Sequence, residues 1–386
     1  MRNRDMNNSF VTEETFITGK KGQKIAVKGY FPSDNGQKHP AVIFSHGFGG
    51  NYRWLEHHGK SVAERGIICF FLDFCGGGME SLSDGTMHEM TVMTEVSDLE
   101  DVFEYVSGRP EVEPDSIFLM GESQGGMVTA CLASELKDKI RGAILWYPAF
   151  VIPDDSAKRI ADGVSNFGGV DLSPDYDKVA AEIDIHEVMH GFDGPVLLIH
   201  GDKDGLVPIR YSEEADRTYA DSELIVIPGA GHGFNARDAV FAIDRSVDFM
   251  IGHLKPRSRL FTLHINCYDS HDVTEAVTGR TIRQVLFDGE AEGELFNGKI
   301  LPGGVDTQVI ESSGDGTLSA RYILEGKDAD GNLCKIYIDN RGRLSEDVTY
   351  PFIGADSTVL DSLKASPLVG YKESDDDGFR IVIYRC

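Results

Sequence analysis

A short motif at residues 121–125, Gly-Glu-Ser-Gln-Gly, places a serine where it could act as a nucleophile. The motif directly follows an apolar run and directly precedes a helical pattern. In such a strand–turn–helix setting the backbone is strained, and the serine hydroxyl projects out of the sheet. The flanking positions are glycines because a Cβ there would collide with the neighbouring chain. The helix start also lends partial positive charge to an oxyanion. We predict that Ser123 is a nucleophile.

A serine nucleophile needs a histidine base, and the base needs an acid that holds its tautomer. In this setting the acid follows the serine in the chain and the histidine comes last. The segment HGDKDGLVP at residues 200–208 follows a buried apolar run and offers Asp202 and Asp204. We favour Asp204, which lies further past the strand end, and interpret Asp202 as a turn-former. The predicted base is His232, which is flanked by glycines in GAGHGF at residues 229–234.

An oxyanion hole needs two backbone N–H donors. One donor is expected from Gln124, the residue after the nucleophile. The other is expected from Phe48, in the glycine-rich loop SHGFGG at residues 45–50, because glycines let that loop fold back.

The remaining histidines are interpreted as structural or solvated. We expect His46 and His200 to be hydrogen-bonded structural residues, and His57 and His58 to be solvated in a polar helical stretch. No carboxylate and histidine spacing indicates a metal site, and no phosphate-binding glycine motif occurs. The expected chemistry therefore requires no metal and no cofactor.

Alternating apolar and amphipathic segments must position these residues. Helical patterns between the apolar runs cover residues 93–107, 125–136 and 239–254, and strand–helix alternation is typical of a mostly parallel sheet with helices on both faces. The apolar runs are continuous, as expected for strands covered on both sides. They lie at residues 40–45, 66–73, 116–120, 143–147, 195–200 and 223–227.

Two stretches exceed what this α/β architecture needs. The connection between residues 147 and 195 is too long for a crossover, and we interpret residues 150–186 as an inserted lid. After residue 256 tight turns separate short strand candidates at residues 281–287, 318–324, 334–338 and 379–384, which predicts an antiparallel barrel or sandwich. The predicted domains are therefore residues 1–256 and 257–386.

The charge and composition exclude several classes of partner. The 386 residues carry 63 acidic and 37 basic side chains, a net charge of −26, which disfavours nucleic acid. No segment has the roughly 20 apolar residues of a membrane helix, and the N-terminal residues lack the apolar core of a signal peptide. The six cysteines show no paired spacing and are interpreted as buried free thiols. We expect a cytoplasmic protein with no membrane partner.

With these motifs in order, the first 255 residues or so resemble the α/β-hydrolase superfamily, and more narrowly the bacterial feruloyl (cinnamoyl) esterases. The narrower resemblance rests on SHGFGGN at 45–51, the stretch from Asp73 to Glu95, GESQGG at 121–126, HGDKDGLVP and GAGHGF. It implies that the insert helps to bind a phenolic ring. It also implies that an acid at the start of the insert holds the phenolic hydroxyl, and Asp155 or its neighbour Asp154 is the candidate.

The last part of the chain, about residues 275–386, is similar to a small bacterial domain family of unknown function with a lipocalin-like β-barrel. The matching segments are residues 299–308, 315–322 and 338–342. This resemblance implies no activity. Asp306 and Gln308 alternate on one strand face, either as the polar lining of a cavity or as a structural hydrogen-bond pair. The barrel could help close the active site, mediate homodimerisation or bind an aromatic ligand.

The sequence therefore predicts a serine carboxylic ester hydrolase that releases hydroxycinnamic acids from small-molecule esters through an acyl-enzyme. Another intracellular α/β-hydrolase, of the acyl-peptide or dienelactone type, is the alternative. A ligand-binding protein that acts through its barrel is a third interpretation, which the complete set of serine, acid and histidine motifs disfavours.

Overall fold

A computed structural model describes residues 2–3, 10–33, 36–375 and 378–386 of the chain. The chain divides into two compact units. The first extends to His253, and the second comprises Leu254–Cys386 together with Glu64–Gly66. The predicted boundary lies between residues 256 and 257.

The first unit contains a twisted central sheet and the helices that cover it. Its strands are β1 (Arg2–Asn3), β2 (Phe10–Thr18), β3 (Lys24–Pro32), β4 (His39–Ser45), β5 (Ile68–Leu72), β6 (Val112–Glu122), β7 (Gly142–Trp146), β8 (Asn166–Phe167), β9 (Val170–Asp171), β10 (Val196–Gly201) and β11 (Ser222–Ile227). Its helices are α1 (Gly59–Ala63), α2 (Val92–Ser107), α3 (Gln124–Leu136), α4 (Ile152–Asp162), α5 (Pro174–Ala181), α6 (Ile185–His190), α7 (Arg210–Thr218) and α8 (Ala236–Gly252).

The strand order of the central sheet is β1-β2-β3-β5-β4-β6-β7-β10-β11. From β5 to β11 all neighbours are parallel, whereas β1, β2 and β3 extend the sheet in antiparallel fashion. Every residue of β4, β5 and β7 is buried, because helices cover both faces of a parallel sheet. The predicted fold class is confirmed, and each of the six apolar runs overlaps one of the parallel strands.

The long connection between β7 and β10 forms a small helical insert. It contains α4, the two-residue strands β8 and β9 that pair with each other, α5 and α6. Pro153 stands in the first turn of α4 and Ser173 caps α5, so both helix starts are encoded locally. The predicted insert at residues 150–186 covers all of these elements except the end of α6.

The second unit is an antiparallel barrel. Its strands are β12 (Ser258–Thr274), β13 (Thr281–Glu292), β14 (Phe296–Ile300), β15 (Gly304–Ile310), β16 (Gly316–Asp328), β17 (Leu333–Arg343), β18 (Val348–Ala355), β19 (Leu368–Asp375) and β20 (Gly378–Arg385). The sheet closes because β12 pairs with both β13 and β20. Both β14 and β15 lie between β13 and β16, so the described residues form a closed ring with eight strand positions.

The four strand candidates of the second unit all fall within observed strands. The cysteine interpretation is only partly correct, because Cys267 is exposed and Cys75 is half-buried, whereas the other four thiols are buried. No helix among the described residues is long and apolar enough to cross a membrane.

Candidate active site

Ser123 occupies a sharp turn between β6 and α3. Its φ is +51°, in the left-handed region that residues with a Cβ rarely adopt. The turn fits only because its neighbours are glycines: a Cβ on Gly121 would lie 2.2 Å from the carbonyl oxygen of Gly125, and one on Gly125 would lie 2.4 Å from that of His46. The strained turn predicted from the motif is therefore present.

The structure brings Ser123, His232 and Asp204 into one hydrogen-bonded chain. The Oγ of Ser123 lies 2.9 Å from Nε2 of His232, and Nδ1 of His232 lies 2.7 Å from Oδ2 of Asp204. With its Nδ1 proton donated to Asp204, the imidazole has a free Nε2 that can accept the serine proton. This arrangement can deliver a deprotonated serine oxygen to an electrophile.

Asp204 and Asp202 have different environments. The side chain of Asp204 is fully buried, and its Oδ1 accepts the backbone N–H groups of Leu206 and Val207, both at 2.8 Å. The exposed Asp202 instead accepts the N–H of Gly229 at 2.6 Å, on the turn that leads to His232. Of the two competing acids, Asp204 is the one in contact with the histidine.

Two further histidines are buried and hydrogen-bonded, as predicted. Nε2 of His200 lies 3.0 Å from the carbonyl oxygen of Val207, and His46 donates from Nδ1 to the carbonyl oxygen of Gly47 at 2.8 Å. Burial lowers the pKa of both His46 and His200, so both side chains are held neutral.

The expectation that His58 is solvated is wrong. His58 is buried against the rings of Phe44 and Trp146, and burial lowers its pKa to about 3. Its polar sequence neighbours hid this, because a short 3₁₀ turn at Glu56–His58 directs it inward while His57 remains exposed.

The loop after β4 approaches the nucleophile closely. A Cβ on Gly47 would lie 3.1 Å from the Cβ of Ser123 and 3.7 Å from its Oγ. Phe48 follows directly, and both Phe48 and Gln124 line the cavity beside Ser123. Gln124 is also the first residue of α3, where backbone N–H groups have no carbonyl partner within the helix. Phe48 and Gln124 therefore both line the cavity that contains Ser123, and their role as oxyanion donors stays a prediction.

Sequence reasoning missed a buried polar chain behind Gln124. The side-chain amide of Gln124 donates to Oε2 of Glu95 at 2.8 Å and accepts from the hydroxyl of Tyr176 at 2.6 Å. Glu95 is fully buried on α2, and burial raises its pKa to about 8. The sequence offered one signal for Glu95, its position at the end of the stretch that resembles the esterases. Tyr176 gave none, because it lies in the insert.

Sequence reasoning also missed a half-buried carboxyl, Glu122, next to the nucleophile. The hydroxyl of Tyr147 donates to Oε2 of Glu122 at 2.5 Å, and the Tyr147 ring packs edge-on against His232 with centroids 4.9 Å apart. Burial raises the pKa of Glu122, which the Tyr147 hydroxyl partly opposes. The Tyr147 ring therefore contacts His232, while the Tyr147 hydroxyl and Glu122 bond each other and not the chain of Ser123, His232 and Asp204.

A cavity of about 560 Å³ opens above Ser123. The insert contributes Phe167, Tyr176 and Asp155 to its lining, and the rings of Phe167 and Tyr176 lie 5.3 and 6.5 Å from that of Phe48. The two candidate acids at the start of the insert differ here. Asp155 is half-buried in the cavity wall, whereas the exposed Asp154 accepts a hydrogen bond from Tyr211 at 2.6 Å.

Comparison with known proteins agrees with this architecture. Residues 36–170 match the family model of serine aminopeptidase S33, and residues 258–359 match a protein family of unknown function, DUF3237. Among solved structures, Est1E from Butyrivibrio proteoclasticus with bound ferulic acid is 26% identical with a TM-score of 0.55, and the match covers 62% of this chain and 98% of that one.

Two sequence relatives match different parts of the chain. The uncharacterized protein YfhR of Escherichia coli K12 is 27% identical over 257 residues, which cover 64% of this chain and 83% of YfhR. A UPF0311 protein of Clostridium acetobutylicum is 39% identical over 66 residues, which cover 17% of this chain. The chain spans only 39% of the length of that UPF0311 protein.

The fold and the strained serine turn define an α/β-hydrolase. The first unit is therefore an α/β-hydrolase domain, and the second is a separate barrel in which residues 258–359 match the DUF3237 family.

Proposed function

We propose that the first unit is a serine carboxylic ester hydrolase that cleaves esters of hydroxycinnamic acids such as ferulate, caffeate or p-coumarate. The observation that carries the proposal is the hydrogen-bonded chain from Ser123 through His232 to Asp204 at the base of an aromatic-lined cavity. Est1E, the similar protein with ferulic acid bound, supports the choice of acyl group.

In the proposed mechanism Ser123 Oγ attacks the ester carbonyl while Nε2 of His232 takes its proton. The N–H groups of Phe48 and Gln124 stabilise the oxyanion that forms, and collapse of the intermediate expels the alcohol, which receives the proton from His232. Water then attacks the acyl-enzyme with the same histidine as base and releases the acid. Asp204 keeps the imidazole oriented in both halves of the reaction.

The cavity supports an aryl acyl group. Its volume of about 560 Å³ lies within the 300–1,000 Å³ typical of small-molecule sites. The rings of Phe48, Phe167 and Tyr176 offer edge and face contacts to a planar substrate. Of the two candidate acids, only Asp155 on α4 is among the residues that line this cavity. There its carboxylate can accept a hydrogen bond from a phenolic hydroxyl group.

Kinetics of Ser123→Ala and Asp155→Asn on methyl ferulate and methyl cinnamate test this proposal. Ser123→Ala should abolish hydrolysis of both esters without changing the circular dichroism spectrum, and retained activity would overturn the serine mechanism. Asp155→Asn should raise KM about 10-fold for methyl ferulate, which has a phenolic hydroxyl, and leave KM for methyl cinnamate unchanged. Asp154→Asn is the matched control. Equal effects on both esters would remove Asp155 from the phenol-binding role.

A second candidate is hydrolysis of aminoacyl substrates, which the match of residues 36–170 to a serine aminopeptidase family favours. An aminoacyl p-nitroanilide assayed beside methyl ferulate separates the two. A peptidase should prefer the anilide, whereas the proposed esterase should hydrolyse only the ester at a measurable rate. The same panel with a short aliphatic ester distinguishes aryl from general acyl preference.

A further inference from the structure

Three buried polar groups inside the barrel have no hydrogen-bond partner among the described residues. Asn340 on β17 is fully buried, yet neither its amide nitrogen nor its amide oxygen is paired. The same holds for the hydroxyl of Tyr322 on β16 and for Oδ1 of Asp306 on β15. Each unpaired buried group costs about 1–3 kcal/mol, and native proteins pair nearly all of them. Three such groups on neighbouring strands therefore point to an external partner.

Strand register places these groups side by side. Asp306 pairs with Ala320, and Ala320 in turn pairs with Asn340. Directly paired residues of antiparallel strands point to the same face, so Asp306 and Asn340 lie on either side of the small Ala320 side chain. The backbones of Asp306 and Asn340 are two strand spacings apart, roughly 10 Å. Tyr322 follows on the same face of β16. We call this set, Asp306, Ala320, Tyr322 and Asn340, the barrel recess.

The barrel recess faces the inside of the ring. The ring of Tyr322 packs edge-on against Phe287 with centroids 5.3 Å apart. Tyr322 also pairs with Ile338, and all three residues belong to the buried apolar core of the barrel. The recess therefore has an apolar floor beneath its polar groups.

Space remains above this floor. Asp306, Gln308, Val285 and Leu318 share the inner face by register, yet each is only half-buried. Because these side chains face the inside of the ring, their partial exposure indicates that solvent reaches the inner face at this level. Gln308 donates to Oδ2 of Asp306 at 2.8 Å, so the predicted hydrogen-bond pair exists, but it leaves Oδ1 unpaired.

The charges around the recess are balanced. Burial raises the pKa of Asp306, which hydrogen bonds from Gln308 and the Ser319 backbone and the charge of Lys372 only partly oppose. The Lys372 ammonium donates to the backbone carbonyl oxygen of Arg343 at 3.1 Å. A carboxyl whose charge is disfavoured and an ammonium already held by the backbone favour a ligand without net charge. A ligand hydroxyl can donate to Oδ1 of Asp306 and accept from the Asn340 amide or the Tyr322 hydroxyl, which are the groups left unpaired.

We propose that the barrel recess binds a small neutral molecule that carries a hydroxyl group on an apolar ring. The hydroxyl lies over Ala320 between Asp306 and Asn340, and the ring packs toward Phe287 and Ile338. The site is independent of the hydrolase cavity and gives the barrel a function that its family assignment does not supply.

Calorimetric titration of the full-length chain with p-cresol tests this proposal, with 4-methylanisole as the comparison because its ether oxygen cannot donate a hydrogen bond. Ala320→Phe fills the gap between the polar groups and should weaken p-cresol binding at least 10-fold. Arg321→Ala, on the outer face of the same strand, is the control and should bind like the unaltered chain. The unaltered chain, Ala320→Phe and Arg321→Ala have the same hydrolase cavity. A loss of p-cresol binding heat that occurs only in Ala320→Phe therefore reports on binding in the barrel.

Asn340→Leu separates a binding role from a structural role. Leucine has nearly the same shape, and the amide that it removes has no partner in the protein, so the midpoint of thermal unfolding should stay unchanged or rise while p-cresol binding weakens at least 10-fold. Equal binding of p-cresol and 4-methylanisole, or no loss of binding in either variant, overturns the proposal. A lower unfolding midpoint for Asn340→Leu with unchanged binding also overturns it, because the amide is then structural.

Discussion

Replacing Glu95 by glutamine is expected to remove a pH dependence from the stability of the hydrolase unit. Glu95 is fully buried beneath Gln124, and burial raises its pKa from the ordinary 4.5 to about 8. Folding therefore favours the neutral carboxyl. The unfolded chain loses this proton at a pH near 4.5, whereas the folded chain holds it until about pH 8.

The size of the effect follows from these two values. Below pH 4.5 both states are protonated and Glu95 causes no penalty. Between pH 4.5 and 8 the free energy of unfolding falls by about 1.36 kcal/mol per pH unit. The penalty amounts to about 3 kcal/mol at pH 7 and about 5 kcal/mol above pH 8. Because a domain is stable by only about 5–15 kcal/mol in total, this single carboxyl has a measurable influence.

Tryptophan fluorescence provides an assay for this unit alone. Both tryptophans of the chain, Trp54 and Trp146, lie in the first unit, so urea unfolding followed by fluorescence reports on it without the barrel. The free energies of unfolding of the unaltered chain and of Glu95→Gln should be similar at pH 5. At pH 8.5 the variant should be more stable by several kcal/mol.

The control is Glu104→Gln, which alters an exposed carboxylate on the same helix that pairs with Lys20 at 2.9 Å. An exposed pair contributes at most about 1 kcal/mol, so this variant should differ little from the unaltered chain at any pH. A stability difference between Glu95→Gln and the unaltered chain that stays constant from pH 5 to 8.5 would refute the reasoning.

Three further outcomes are expected. Asp204→Asn should lower kcat on methyl ferulate about 10⁴-fold with little change in KM, whereas Asp202→Asn should stay within a few-fold; the reverse order would reassign the acid. Gly47→Ala places a Cβ 3.1 Å from the Cβ of Ser123 and should lower kcat about 10-fold, with an unchanged far-ultraviolet circular dichroism spectrum. An unaltered kcat would show that the loop can shift to accommodate the added methyl group. Tyr176→Phe leaves the buried Gln124 oxygen without its donor and should cost about 1–3 kcal/mol in the fluorescence unfolding assay; no loss would show that Gln124 finds another partner.

The parts of the molecule that could be predicted are those encoded locally. The strands of the parallel sheet are continuous apolar runs, and the serine turn is encoded by glycines two positions on either side of Ser123. Strand β2 was missed because half-exposed polar residues alternate along it at the antiparallel side of the sheet. The closure of the barrel was also not readable, since the pairing of β12 with β20 joins residues more than 110 positions apart.

The buried polar chain of Glu95, Gln124 and Tyr176 was missed because, like the closure of the barrel, it joins residues that are far apart in the sequence. Glu95 and Tyr176 are separated from Gln124 by 29 and 52 positions. Nothing around Tyr176 in the sequence distinguishes it from an ordinary helical residue, and Glu95 has only its position at the end of the esterase-like stretch. Their contact exists only because α2, α3 and α5 pack together. Hydrogen-bond partners of this kind depend on tertiary packing, whereas motif glycines act on the backbone at their own position.

This packing links substrate binding to catalysis in the proposed enzyme. Tyr176 belongs to the insert and lines the cavity, yet its hydroxyl holds the side chain of the residue whose backbone N–H is proposed to stabilise the oxyanion. Gln124 is in turn fixed from below by Glu95. A change in the insert that shifts α5 should therefore move Gln124 as well, and such changes should alter kcat together with KM. Changes of α5 therefore cannot adjust substrate preference in the proposed enzyme without a cost to the chemical step.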